Sequence, residues 1–378
     1  MPFPEVAVRT TLAIFVALVA AVPNLAAAQS DSPTLDIYFI DTEGGQATLY
    51  VSPSGETMLV DTGNPGERDH TRLMEVLREA GVDRIDHLFL THYHVDHYGG
   101  LEALAAAVPI LNYYDHGRSS ESDRPAVAAF EQRYAELTSR ATRTSVRPGD
   151  RVPLAGVDVL VVASHRELLR EPIAGAPGVG DPNPACESFQ PIDQSAFPDI
   201  DNDHSAGFVM TYGEFRTINL GDLMWNYEYA LMCPNLLGRV DVYLTSHHGQ
   251  GISGSAALVH GLRPRVAIMN NGTRKGGALS TFEILHASPD LEDLWQLHWS
   301  YHAMVDHNAP GVFIANLDDP AVIAGVISPA AEGGGQGRGG TPAAHSPAHW
   351  IKVSAQADGT FTVTNSRNGF SKTYRPAN

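Results

Sequence analysis

The sequence predicts a single α/β domain. Short apolar runs of strand length interleave with segments of helical spacing, no internal repeat of fixed period is visible, and 43% hydrophobic against 18% charged residues suits a packed core. Residues 35–40, 47–51 and 58–60 read as strands separated by Gly, Pro and Ser turns. Over residues 68–80, Leu73, Val76, Leu77 and Ala80 recur at helical spacing, and Gly81 stops that helix. Residues 85–90 then form a buried strand that delivers the chain to Thr91. Helices follow at 100–107 and 126–138, the second polar enough to lie on the surface or form part of a lid, and a strand at 157–162. Residues 172–201 are rich in Pro, Gly and Asp without periodicity and read as a long loop or insertion. Strands at 207–212, 215–220, 240–246 and 265–269, with a helix at 255–261, complete a main domain of residues 29–331. A Gly-rich flexible connector, 332–347, leads to a C-terminal segment, 348–378. Its strands 350–353 and 360–364 flank Asp358-Gly359 as a hairpin expected to pack on the main domain.

Composition narrows the function. Forty-three acidic residues against 25 basic ones give a formal charge of −18 over 378 residues, which argues against high-affinity nucleic-acid binding and leaves a small-molecule substrate as the expected partner. Two cysteines, Cys186 and Cys233, exclude a Cys-rich zinc module and a dense disulfide scaffold; they either pair or stay free. Arg9, an apolar run over 11–21 and Ala26-Ala27-Ala28 before Gln29 follow the order of a secretory signal peptide, predicting cleavage after Ala28 and export to the periplasm or the medium. That run is shorter than the ~20 residues a membrane-spanning helix needs, and Pro23 and Asn24 end it, so no span is expected after cleavage.

The chemistry is concentrated in Thr91-His92-Tyr93-His94-Val95-Asp96-His97-Tyr98-Gly99-Gly100, directly after a hydrophobic strand. Alternation turns His92 and His94 the same way, while Asp96 and His97 sit where the chain enters the next helix, so four ligand-type groups can face one cavity. Imidazole and carboxylate suit zinc, and two ions about 3.5–4 Å apart can share a hydroxide. No Gly-x-Ser-x-Gly elbow supports a serine hydrolase; Gly251-Ile252-Ser253-Gly254-Ser255 matches only out of frame.

The His-x-His-x-Asp-His segment resembles the signature of the metallo-β-lactamase superfamily, which implies a four-layer αββα sandwich and a metal-dependent hydrolase with two divalent metal ions, zinc foremost. The resemblance implies that Asp61, in Asp61-Thr62-Gly63, supports the ligands from behind. Asp222, in Leu220-Gly221-Asp222, would bridge the two ions, and His247, in Ser246-His247-His248-Gly249, would close the second site. Metal one would then take His92 and His94, and metal two Asp96, His97 and His247. His204, 18 residues ahead of Asp222, either completes metal one or is a solvated loop residue. Asp96 can also orient the water, and His248 is a candidate substrate contact or acid. Phe39-Ile40-Asp41, Gly44-Gly45-Gln46-Ala47, and Ser246-His247-His248-Gly249 with Ser253 and Ser255 resemble the branch of competence DNA-uptake hydrolases and phosphorylcholine esterases. Gln46 stands where that branch commonly has Asp, and Lys275-Gly276-Gly277-Ala278 replaces its Gly-His-Pro element.

The expected activity is hydrolysis of phosphodiesters or other phosphoesters by a metal-bridging hydroxide, with Arg274 and Lys275 holding substrate phosphate. Two alternatives remain. One is a lactonase or β-lactam-type hydrolase. The other is a non-catalytic metal-bound envelope protein with Trp295, Trp299 and Tyr301 along a ligand groove, although such aromatics are more often core. The remaining histidines, among them His87, His116, His165, His260, His286, His298, His302 and His307, lack such spacing and read mostly as structural or surface residues.

Overall fold

The computed structural model describes Met1 and residues 33–193, 200–319 and 345–376. Beyond Met1, the expected leader lies outside the described residues, as does most of the Gly-rich connector. Two nine-stranded sheets form among the described residues. The first begins with β1 (Leu35–Phe39), β2 (Thr48–Val51), β3 (Thr57–Val60), β4 (Ile85–Phe89), β5 (Ile110–Asp115) and β6 (Thr142–Ser145). The second contains β7 (Arg151–Leu154), β8 (Val157–Ser164), β9 (Glu167–Leu168), β10 (Gly207–Tyr212), β11 (Phe215–Asn219), β12 (Val242–Leu244), β13 (Val266–Met269), β14 (Asp293–His298) and β15 (Ile314–Asn316). The chain returns to the first sheet with β16 (Ile351–Ala355), β17 (Phe361–Asn365) and β18 (Ser371–Tyr374). The first sheet runs β18-β17-β16-β1-β2-β3-β4-β5-β6; the second runs β15-β14-β13-β12-β11-β10-β8-β7, with β9 on β8.

Strand alternation builds the layers. Leu35, Ile37 and Phe39 of β1, Met58 and Val60 of β3, and Val157, Val159 and Val161 of β8 share one buried cluster with Phe208, Val242, Ile268 and Trp295, which is the core between the sheets. The opposite parity, Tyr38 and Leu59, packs under α1 (Glu67–Glu79), α3 (Leu101–Ala107) and α4 (Pro125–Thr138) through Leu73, Val76, Leu77, Leu104, Phe130 and Tyr134. On the second sheet, Leu160, Val162 and Ile218 pack under α5 (Trp225–Met232), α6 (Ala256–Leu262) and α7 (Leu279–His286). The result is the expected αββα layering. The helix at 125–138 covers the sheet with Phe130 and Tyr134, so it is a structural layer and not a lid.

Three differences from the sequence expectation have physical reasons. The C-terminal segment contains the expected hairpin, β16 and β17 across Asp358-Gly359, but a third strand makes it a meander, and it joins the first sheet edge to edge. β16 pairs with β1 from Leu35↔Ala355 to Phe39↔Ile351, which covers what would otherwise be an exposed sheet edge. Its third strand, β18, has only Tyr374 buried and so shows no apolar pattern. β6 was likewise invisible because all four of its residues are exposed. Trp295, Trp299 and Tyr301 are 0%, 8% and 1% exposed, so they are core and line no ligand groove. The loop region contains a short 3-10 turn, Pro184–Cys186, and Cys186 forms a disulfide with Cys233 at the end of α5.

Candidate metal centre

The site forms at the C-terminal ends of parallel strands in both sheets. β3 runs into Asp61, and its parallel neighbour β4 runs into His92 and His94. The short helix α2 (Val95–Tyr98) then presents Asp96 and His97. In the other sheet, β11 leads to Asp222 and its parallel neighbour β12 leads to His247 and His248. Gly221 is required between strand and ligand: its φ is +55°, and a Cβ there would lie 2.8 Å from that of Thr91.

Asp222 stands between two clusters of ligand atoms. On one side are His92 and His94, with His92 Nε2 3.8 Å from Asp222 Oδ2. On the other are Asp96, His97 and His248. There His97 Nε2 lies 3.3 Å from Asp222 Oδ2, and His248 Nε2 lies 3.5 Å from Asp222 Oδ1 and 3.3 Å from Asp96 Oδ2. Ligands bonded at 2.0–2.1 Å around one tetrahedral zinc stand about 3.3 Å apart, so these spacings fit. The residues pass a second test of fit: His92 Nε2 and Asp222 Oδ1 are buried and make no hydrogen bond among the described residues.

Asp61 lies behind His97. Its Oδ2 accepts from His97 Nδ1 at 2.7 Å and from the Thr91 hydroxyl at 2.7 Å, and its Oδ1 accepts the Thr91 amide at 2.8 Å. That places the His97 proton on Nδ1 and turns Nε2 toward the cluster. Asp61→Asn is therefore expected to weaken zinc binding by about 10–100-fold without unfolding the chain, measured by competition with a chelating indicator. Unchanged affinity would remove this role.

The electrostatics favour a cation. Burial disfavours a charged His97, yet the carboxylates of Asp222, Asp96 and Asp61 outweigh it and hold the imidazole well above its usual range. Burial likewise opposes charge on Asp96 and Asp222, and the surrounding histidines, with Lys275 beside Asp96, outweigh it and hold both carboxyls well below the usual range.

The structure corrects three assignments. His248, not His247, joins Asp96, His97 and Asp222. Both residues adopt left-handed backbone, with φ of +54° and +56°, so the turn no longer follows strand alternation and the second imidazole swings into the cluster. His247 keeps its Nε2 3.4 Å from Asp222 Oδ2 while its Nδ1 meets Ser253 Oγ at 3.2 Å, and burial lowers its pKa to about 4. His204 groups with His116 and His165 instead of His92 and His94. Lys275 is held in an ion pair by Asp96, so it is not an open phosphate anchor. Arg274 stacks on Tyr301, its guanidinium carbon 5.0 Å from the ring centre.

Sequence reasoning also missed Glu121, buried in a loop with no pattern, whose Oε2 lies 3.6 Å from His94 Nε2. It missed Glu228 as well, which sits on α5 and accepts the amides of Gly254 and Ser255, each at 2.8 Å, bracing the segment after His248. Burial raises the Glu228 pKa to about 7, against those hydrogen bonds. A carboxyl with a raised folded-state pKa adds stability below its unfolded value of 4.5, and that stability is lost as pH rises through about 7. Glu228→Gln is expected to flatten the fall in denaturation midpoint between these pH values; an unchanged slope would contradict the assignment.

Residues 40–189 match the Metallo-beta-lactamase superfamily. That stretch is a metallo-beta-lactamase superfamily domain. Members of this superfamily are metal-dependent hydrolases and typically bind two metals. Among curated proteins, the chain is 24% identical over 247 residues to Recombination protein 2 of Haemophilus influenzae, covering 65% of this chain and 25% of that protein. It is 31% identical over 138 residues to Ribonuclease Z of Methanopyrus kandleri, covering 35% of this chain and 46% of that protein. The chain thus spans less than half the length of either relative. The metallo-beta-lactamase fold protein YhfI of Bacillus subtilis superposes with a TM-score of 0.43 at 11% identity, covering 69% of this chain and 96% of that one.

Proposed function

We propose that this metallo-beta-lactamase domain is a dinuclear-metal hydrolase acting on phosphodiesters or related phosphoesters. The observation that carries the reading is the position of Asp222, within 3.8 Å of His92 on one side and 3.3 Å of His97 on the other. His92, His94 and Asp222 would hold one ion, and Asp96, His97, His248 and Asp222 the other, with zinc suited to the imidazole-rich set. Two such ions supply Lewis acidity at the scissile centre and bring the pKa of a bound water toward neutrality. The chain's own residues do the rest: Asp61 orients His97, Lys275 balances the charge of Asp96, and His247 lies beside Asp222 at the rim of the cluster. The likeness to a ribonuclease Z, 31% over 138 residues, supports a phosphoester substrate and runs over a longer stretch than the 31% over 83 residues shared with a carboxyl ACP thioesterase of Pseudocercospora fijiensis.

The test is a panel of bis-p-nitrophenyl phosphate, an acyl-homoserine lactone and a cephalosporin, with zinc added and with chelator. Chelator-sensitive turnover of the phosphodiester is expected; turnover confined to the lactone or cephalosporin would replace the substrate assignment, and no turnover across the panel would favour a binding role. We propose export as well, supported by the leader-like order of residues 1–28 and by the Cys186–Cys233 disulfide, which suits an oxidising compartment. Among the described residues no helix is long and apolar enough to cross a membrane.

A further inference from the structure

Three further imidazoles converge outside the Asp222 centre. His116 follows the end of β5, His165 follows β8, and His204 ends the 3-10 turn Asp201–His204. One ligand atom from each lies within 4.8 Å of the other two, and the Nδ1 atoms of His165 and His204 are 3.1 Å apart. Behind them stands Asp201, which is 0% exposed. Its Oδ2 meets His116 Nε2 at 3.1 Å and accepts the Tyr93 amide at 2.7 Å. Its Oδ1 accepts the Ser119 hydroxyl at 2.6 Å and the Ser120 amide at 3.0 Å. With its amide and hydroxyl donors in place, this carboxylate fixes the proton of His116 on Nε2 and leaves Nδ1 as the lone-pair atom.

That Nδ1 is buried and makes no hydrogen bond among the described residues. A mutual hydrogen bond between His165 and His204 accounts for one pair but leaves the His116 lone pair unused. A carboxylate behind one ring nitrogen is how proteins orient histidine onto a metal, and here the ring so held has an unpartnered second nitrogen and a ligand atom within 4.8 Å of one from each of two other imidazoles.

We propose that His116, His165 and His204 bind a third divalent ion of the imidazole-preferring class, with zinc as the reference ion, separate from the Asp222 centre. His165 is only partly buried, so solvent reaches part of this residue, and three imidazoles with one water make a four-coordinate set that zinc accepts. Asp201 also binds the amide of Tyr93, between His92 and His94, so an ion held here braces the segment carrying those two residues.

The proposal does not rest on the hydrolase reading. The full chain, loaded with zinc and freed of loose metal by gel filtration, is analysed by mass spectrometry of the elements beside His165→Ala and Asp222→Ala, with circular dichroism to confirm folding. His165→Ala is expected to carry one zinc fewer than the parent chain, while Asp222→Ala still carries the ion that His165→Ala loses. If His165→Ala does not fold, His165→Asn takes its place. Equal zinc in parent and His165 variant would overturn the third site, as would loss of one zinc from His204→Ala but none from His165→Ala, which would return His204 to the first ion.

Discussion

Asp222→Ala is expected to release both ions of the centre and to cut phosphodiester turnover by at least roughly 10³-fold, because the ions supply several kcal/mol of transition-state stabilisation and each 1.4 kcal/mol is a factor of ten. The size follows from the position of the carboxylate. Its Oδ2 lies 3.8 and 3.3 Å from His92 and His97, and its Oδ1 faces His248 at 3.5 Å, so in the proposed centre removal would take a ligand from both ions at once. It also withdraws the main charge that offsets the buried His97. Initial rates on bis-p-nitrophenyl phosphate with zinc present, next to a dichroism spectrum showing retained fold, check the expectation. A folded variant within tenfold of the parent rate would remove Asp222 from the centre.

The second large effect separates two neighbours. His248→Ala is expected to lose one zinc equivalent and about 10²–10³-fold of turnover, whereas His247→Ala keeps the zinc content of the parent chain. His248 Nε2 is 3.3 Å from His97 Nε2 and 3.3 Å from Asp96 Oδ2, inside the second cluster. His247 reaches the centre through Asp222, 3.4 Å from its Nε2, and its other nitrogen is taken up by Ser253. Zinc analysis of the two variants reads the difference directly; loss of metal from His247→Ala with full retention in His248→Ala would restore the order expected from strand alternation.

That pair shows where sequence reading works and where it stops. The dense run from His92 to His97 follows a clean apolar strand, so both its presence and its direction were legible, and Asp61 and Asp222 could be placed only through the superfamily resemblance, each just beyond a recognisable strand. The swap at His247 and His248 arises from two consecutive non-glycine residues in left-handed backbone, a conformation that no side-chain pattern announces. Glu121 and Glu228 act from a patternless loop and a short helix, and their importance comes from burial against partners far along the chain. His116, His165 and His204 are likewise brought together only by topology, since β5 and β8 belong to different sheets. The αββα layering was legible from the strands read in the sequence, but β5, β7, β14 and β15 went unread along with β6 and β18, and only for the last two do exposed residues supply the reason.

The central claim is that one carboxylate joins two metal sites. Anomalous difference maps collected at the zinc edge from zinc-loaded crystals test it most directly. The account requires two peaks flanking Asp222, about 3.5–4 Å apart, one against His92 and His94 and the other against Asp96, His97 and His248. A single peak, or two peaks neither of which contacts Asp222, would contradict it.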